Sequence, residues 1–344
     1  MREKFSTINT PADVRSLLLY AELNGDDPAA LRKRIEAGFE VDLVKQNPKR
    51  KVYRLRCPDG REMYLKLFAG QSFPQSLFRF YAQQEYQAAR RLESLGLPVI
   101  HYLAWGRLHR GGFSLSEGVS EAVSLRQYCF ETLIHQPELQ FELADCLSDV
   151  IRLLIRNRIR HPDFHLGNIL LSRSSGKLFL ADPWGVHPVW FLRETDRLNA
   201  SLPWVELSGT LPDELVLSGI VNSELARDTV AAKVLLEAAH ARREQFFARH
   251  RAKFDTRILS GRSKFATEVT LPEGRCAFRH TEWYAPPAKF ELDPAWRREV
   301  FEAEEASRGI WLDSFLKTPP LKNPPLARLI CLDGTSVLFY ADDK

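Results

Sequence analysis

The sequence predicts an α+β protein with a small antiparallel sheet near the N-terminus, a mainly helical region after it and a C-terminal extension. Three observations carry this. Between Phe39 and Phe68 short apolar runs alternate with tight polar connections, as β-hairpins require. From Leu125 to Phe254 apolar residues recur mostly at helical spacing. Beyond Phe265 strand-like patterning returns. The expected boundaries are a helical extension at 1–38, a sheet region at 39–118, a helical region at 119–262 and an extension of open role at 263–344.

Each element has a local reason. Residues 1 to about 38 read as helical, with Val14, Leu17, Leu18, Leu31 and Ile35 as apolar positions, a break at Gly25-Asp26-Asp27-Pro28 and a stop at Gly38. Strand-like runs follow at Phe39–Val44, Val52–Leu55 and Met63–Phe68, the last two joined across Pro58-Asp59-Gly60. Lys66 lies inside the third run and shares its face with Tyr64 and Phe68. The alternation is weak on both faces, so its direction stays open between solvent and a buried, anion-paired position.

A helix is expected from Ser76 to Ser94, closed by Gly96 and Pro98. Phe78, Tyr81, Ala88, Ala89 and Leu92 form its apolar stripe, and Glu85 falls on that stripe. A buried carboxylate needs a partner. Lys66 is the obvious one, with Glu93 as a reserve acid on the same helix. Two more strands, Tyr102–Leu108 and Phe113–Glu117, flank Arg110-Gly111-Gly112. A connector through Glu117-Gly118-Val119-Ser120 then enters a helix near Leu125 to Leu133. Leu143, Leu147, Val150, Ile151 and Leu154 repeat at helical spacing and lead to His161. These elements describe a two-lobed molecule with a cleft at the junction. Past Phe265, strands are expected around Val269 and Phe278, a helix through Trp296 and Phe301, and a last hairpin across Asp333-Gly334.

Composition bounds the rest. A chain of 344 residues has room for about two domains, and 44% hydrophobic with 27% charged residues is ordinary for a globular protein. The net charge of +4 is too small to imply nucleic-acid binding. Five scattered cysteines form neither a disulfide framework nor a zinc ribbon pattern, which favours a reducing compartment. No apolar run approaches the length of a membrane span, and no secretory signal is visible.

The chemistry concentrates in HPDFHLGNILLSRSSGKLFLAD, His161 to Asp182. Asp163 and Asn168 are five apart, and Asp182 follows fourteen residues later after two short apolar runs. A catalytic Asp, a metal-binding Asn five residues on and a metal-binding Asp on the next strand is the spacing phosphoryl-transfer sites use. The bland alternative is turn chemistry, since Asp and Asn side chains bond their own backbone. A zinc pair from His161 and His165 would need a helix, which Pro162, Gly167 and Asn168 oppose.

With Lys66, Glu85, Asp163, Asn168 and Asp182 in order, the chain from about Phe39 to Phe254 resembles the protein-kinase-like superfamily. His165 is similar to the small-molecule branch, which includes aminoglycoside and choline kinases. The strings EYQAARRLESLGLPV from Glu85 and FSLSE from Phe113 resemble bacterial lipopolysaccharide core sugar kinases, the Kdo/heptose kinase family. The resemblance implies a protein-kinase-like fold and an ATP- and Mg2+-dependent phosphotransferase. Its implied acceptor is a hydroxyl of a core sugar or glycolipid. It also implies that Asp163 accepts the acceptor proton, that Asn168 and Asp182 hold magnesium, and that Lys66, oriented by Glu85, neutralises phosphate oxygens. The backbone of Glu117 to Val119 would receive adenine, and His165 would contact the transferred phosphate or the acceptor.

Two departures from that pattern keep other readings in play. The loop between the first two strands, Lys45-Gln46-Asn47-Pro48-Lys49-Arg50-Lys51, has no glycine, although its cationic side chains could substitute. The usual Asp-Phe-Gly reads Asp182-Pro183-Trp184-Gly185. The alternatives are a small-molecule kinase of the aminoglycoside or choline kinase type, and a pseudokinase acting as a binding scaffold. Residues 241–264 carry eight basic against two acidic side chains, which reads either as a solvated face or as a surface for anionic lipid or a phosphorylated substrate. The expected location is the cytoplasm, either free or peripheral on the cytoplasmic face of the inner membrane.

Overall fold

Local capping and strand alternation account for most elements of the computed structural model. It describes residues 10–20, 24–25, 27–47, 50–69, 81–108, 111–133, 135–260, 265–280, 289–316 and 323–341. The chain divides into two compact units: Met1–Leu125 with Cys146–Asn199, and Arg126–Asp145 with Ala200–Lys344.

The first unit opens with helices α1 (Pro11–Tyr20) and α2 (Pro28–Glu36). Asp27 starts α2 by accepting the Ala30 N–H at 2.9 Å, with Pro28 in the first turn where its missing donor is harmless. Six strands then form one antiparallel sheet: β1 (Asn24–Gly25), β2 (Glu40–Asn47), β3 (Arg50–Arg56), β4 (Glu62–Ala69), β5 (Tyr102–Leu108) and β6 (Gly111–Glu117), in the order β1-β5-β6-β4-β3-β2. On β4, Met63, Leu65 and Leu67 are buried, whereas Tyr64, Lys66 and Phe68 point to the other face. Val14, Leu18, Leu31 and Ile35 from the two helices join Leu55, Leu65, Leu67, Phe113 and Leu115 in the core. Each such buried side chain contributes about 2 kcal/mol.

Helix α3 (Tyr81–Ser94) buries Ala82, Glu85, Ala89 and Leu92, a 3-4-3 spacing that places one acid among three apolar residues. The expected start at Ser76 lies outside the described residues. Helix α4 (Gln140–Arg156) buries Leu147, Val150, Ile151 and Leu154 and delivers the chain to β8 (Ile159–Arg160). A 3-10 turn at Leu166–Asn168 leads into the hairpin β9 (Ile169–Ser172) and β10 (Leu178–Leu180), with β7 (Ala122–Ser124) as third strand. β8 pairs with β11 (His187–Pro188).

In the second unit the helices run through α5 (Leu202–Leu207), α6 (Asp213–Asn222) and the 31-residue α7 (Thr229–Leu259). Gly219 permits the contact of α6 with α5, because a Cβ there would lie 2.3 Å from the buried Trp204 ring. Glu206 is buried and pairs with Arg126 and, at 2.8 Å, with Arg243.

The C-terminal part is a five-stranded antiparallel sheet in the order β12-β13-β15-β16-β14, with helix α8 (Glu304–Leu316). Its strands are β12 (Ala266–Leu271), β13 (Gly274–Arg279), β14 (Arg297–Phe301), β15 (Ala327–Cys331) and β16 (Ser336–Tyr340). Strands near Val269 and Phe278 and the hairpin across Asp333-Gly334 were expected. The helix through Trp296 and Phe301 is corrected to strand β14, because Arg297–Phe301 finds backbone partners on Tyr340–Ser336 and the helix begins only at Glu304. The expected helix at Leu125 to Leu133 is one α-helical turn, Leu125–Tyr128, continued as a π-helix over Cys129–Leu133. Among the described residues no helix is long and apolar enough to cross a membrane.

Candidate active site

The site lies within the first unit. Register puts Lys66 of β4 opposite Ser114 of β6, on the sheet face away from the Leu55–Leu67 core. Lys66 Nζ donates to Glu85 Oε1 at 2.5 Å, to Tyr102 Oη at 3.3 Å and to Asp182 Oδ1 at 3.4 Å. Glu85 is 1% exposed, and its second oxygen accepts the Ser114 hydroxyl at 2.7 Å. Glu85 thus lies on the buried stripe of its helix, as expected. Glu93, the reserve acid, is engaged instead by Arg90 at 2.7 Å and His101 at 2.6 Å.

These contacts set the charges. Burial works against the Lys66 ammonium, but Asp182 and Glu85 more than offset it and hold the group charged well above the usual lysine range. Burial also opposes ionisation of Asp182, yet Lys66 and Arg50 together keep its carboxyl far below the ordinary value. For Glu85 burial is the largest influence and pushes the carboxyl up, against the pull of Lys66 and Ser114.

The second half of the site is the loop before β9 and the chain after β10. Leu180 pairs with Ile169, and the Ala181 N–H continues the ladder by donating to the Asn168 carbonyl at 2.8 Å. Asn168 and Asp182 are therefore brought to the same end of the hairpin. Asn168 Nδ2 donates to the Asp163 carbonyl at 2.9 Å and to Asp163 Oδ2 at 3.2 Å. Both partners are acceptors only, which fixes the amide orientation and leaves Asn168 Oδ1 turned elsewhere. His165 Nδ1 accepts the Gly167 N–H at 3.0 Å, so the neutral ring carries its proton on Nε2, 3.5 Å from Asp163 Oδ1. Asp163 itself is exposed, with 70% of its side chain open to solvent.

Asp182 has φ +52, in the left-handed region that only Asn, Asp and Gly visit readily. The next residues turn sharply: Val186 N–H donates to the Pro183 carbonyl at 3.1 Å and Gly185 has φ +76. Pro183 is buried, while Trp184 faces outward against Tyr81 with ring centroids 5.6 Å apart. Glu117 ends β6, opposite Met63, and Gly118 donates to the Glu62 carbonyl at 2.8 Å, which sets the path of Val119.

His161 is a buried residue of the core. It is 4% exposed, tilted on Phe164 at 5.1 Å, and burial lowers its imidazole to about 4, so it is neutral at neutral pH. Its segment is not helical, which removes the geometry a zinc pair required. Among the described residues no group of three or more His, Cys, Asp or Glu is placed to hold a metal ion. Magnesium does not need one. It takes oxygen donors, commonly one or two side chains plus phosphates, and Asn168 Oδ1 with the Asp182 carboxylate fit that demand.

Three contacting residues escaped the sequence reading. Ser114 and Tyr102 reach Lys66 and Glu85 through strand register. Arg50, at the start of β3, donates from Nη1 to Asp182 Oδ2 at 2.9 Å. Its only sequence signal was the run of cations in the glycine-free loop.

No family model matches the chain, and no curated protein does. Among solved structures, one to which it is similar is the crystal structure of aminoglycoside-3'-phosphotransferase of type VIII. The TM-score is 0.41 at 16% identity, over 59% of this chain and 94% of that one. That overlap is too loose to carry an argument about function.

Proposed function

We propose that the chain is an ATP-dependent phosphotransferase acting on a hydroxyl of a lipopolysaccharide core sugar, heptose or Kdo. One observation carries the phosphoryl-transfer reading: Lys66, braced by buried Glu85, meets Asp182, whose hairpin also presents Asn168 and Asp163. Turn chemistry alone does not require a lysine from a distant strand at the end of that hairpin. The core-sugar acceptor is supported by the resemblance of residues 85–99 and 113–117.

In this mechanism Asp163 orients the acceptor hydroxyl and takes its proton at a carboxylate oxygen. His165 Nε2–H and Asn168 Nδ2–H hold that carboxylate. Asn168 Oδ1 and Asp182 would hold Mg2+, which would supply charge neutralisation to the phosphates. Lys66 supplies a fixed positive charge to the phosphates, and Glu85 keeps it from collapsing fully on to Asp182. The stretch Glu117 to Val119 borders the nucleotide base.

The test is direct. Purified protein with Mg2+ and ATP is offered lipopolysaccharide core oligosaccharide, an aminoglycoside and choline, and each product is weighed by mass spectrometry. One added phosphate on the core sugar is expected. Transfer only to a free metabolite would move the reading to a small-molecule kinase, and absence of both nucleotide binding and transfer would leave the scaffold.

We also propose that α7 rests on an anionic membrane. Of the eight basic residues in 241–264, Arg243 is engaged by Glu206 and Arg251 by Asp255 and Asp313, at 2.8 to 2.9 Å. Residues 261–264 lie outside the described residues. Arg242, Arg249, Lys253 and Arg257 remain exposed, with Phe246 51% exposed among them. At about 100° per residue these five fall within an arc of roughly 80°, and Glu237, Glu244 and Asp255 fall on the opposite side. Replacing the four cations by glutamine is expected to weaken sedimentation with vesicles rich in anionic lipid on the order of a hundredfold. Equal binding of both proteins, or equal binding to zwitterionic vesicles, would remove the membrane from the account.

A further inference from the structure

Two cations hold Asp182, one on each carboxylate oxygen: Lys66 at 3.4 Å on Oδ1 and Arg50 at 2.9 Å on Oδ2. They differ in their support. Lys66 is mid-strand and braced by Glu85, with 15% of its side chain exposed. Arg50 is the first residue of β3, opposite Phe68, and 24% of its side chain is exposed. A metal ion at this carboxylate would meet two cations already paired to it, and like-charge repulsion favours release of one of them. Arg50, at the end of its strand, is the less firmly held.

Resting on the phosphotransferase reading, we propose that Arg50 is a phosphate-binding residue, whose guanidinium moves from Asp182 to the nucleotide phosphates on nucleotide binding. A side chain would then do what glycine backbone amides do in loops that approach phosphate closely. The chemistry suits arginine, whose planar fork pairs with phosphate oxygens as well as with carboxylate. Charge balance points the same way. Lys66 and Arg50 cancel Glu85 and Asp182, whereas without Arg50 these side chains would present net negative charge to a polyanionic ligand.

The experiment compares wild type with Arg50→Ala, Arg50→Gln and Arg50→Lys. Calorimetry measures ATP, ADP and AMP binding with magnesium, electron paramagnetic resonance measures Mn2+ binding without nucleotide, and thermal melting reports folding. The neutral variants are expected to lose roughly tenfold or more in affinity for ATP and ADP but not for AMP, and Arg50→Lys to recover most of the loss. Mn2+ alone is expected to bind the neutral variants several-fold more tightly than wild type, because Asp182 is released. Unchanged ATP affinity, a loss shared equally by AMP, or unchanged Mn2+ affinity would overturn the proposal while leaving the phosphotransferase reading intact. Wild-type protein that binds no nucleotide would overturn both. Arg50→Gln keeps the comparison open if the alanine variant fails to fold.

Discussion

Asp163→Asn is expected to lower phosphate transfer on the order of a thousandfold while leaving nucleotide affinity within about twofold. In the proposed mechanism the substitution removes the group that takes the acceptor proton, and little else. Asp163 is exposed, so no buried charge is stranded. Its main-chain carbonyl still receives Asn168 Nδ2 at 2.9 Å, so the Asn168 amide keeps a partner. Single-turnover rates with saturating Mg2+ and ATP, beside calorimetric nucleotide titration, separate the two effects. Undiminished transfer would sink the assigned base, and a parallel loss of nucleotide affinity would show that Asp163 acts through Asn168 instead.

Glu85→Ala is expected to cost about 3 kcal/mol of folding stability, the low end for breaking a buried ion pair because Lys66 retains Asp182. The cost has two parts. Lys66 loses its 2.5 Å partner, and the buried Ser114 hydroxyl loses its acceptor at 2.7 Å. Glu85→Gln keeps a hydrogen-bond acceptor for Ser114 and is expected to lose less. Lys66 would also lean further on to Asp182, so nucleotide binding should weaken in both variants even at temperatures where they are folded. Denaturant unfolding of the three proteins checks the order. A loss below about 1 kcal/mol in the alanine variant would mean that Glu85 is not the anchor of Lys66.

The parts of the site that could be read in the sequence are those with a local reason. Asp163, Asn168 and Asp182 lie within twenty residues, separated by one hairpin whose register the two apolar runs already suggested. Glu85 was legible because a carboxylate on an apolar helical stripe demands a cation. Ser114 and Tyr102 were not, because which residue faces Lys66 across β6 and β5 depends on strand register between segments far apart in sequence. Arg50 stands between Lys49 and Lys51, and nothing local singles it out from its neighbours. The direction of Lys66 was open for a related reason: Tyr64 and Phe68 beside it are large, so the site-facing side of β4 looks as apolar as the core side. At Trp296 to Phe301 an aromatic pair suggested a helix, but pairing with β16 outweighed that local signal.

The left-handed backbone at Asp182 bears on how such a chain changes over generations. The residues that adopt this conformation at low cost are Gly, Asn and Asp. A single nucleotide change converts an aspartate codon to asparagine or glycine, so the carboxylate can be lost with little protest from the main chain. Branched side chains would meet strain there. In the proposed reading, the carboxylate could thus be lost in one step without disturbing the scaffold that carries it.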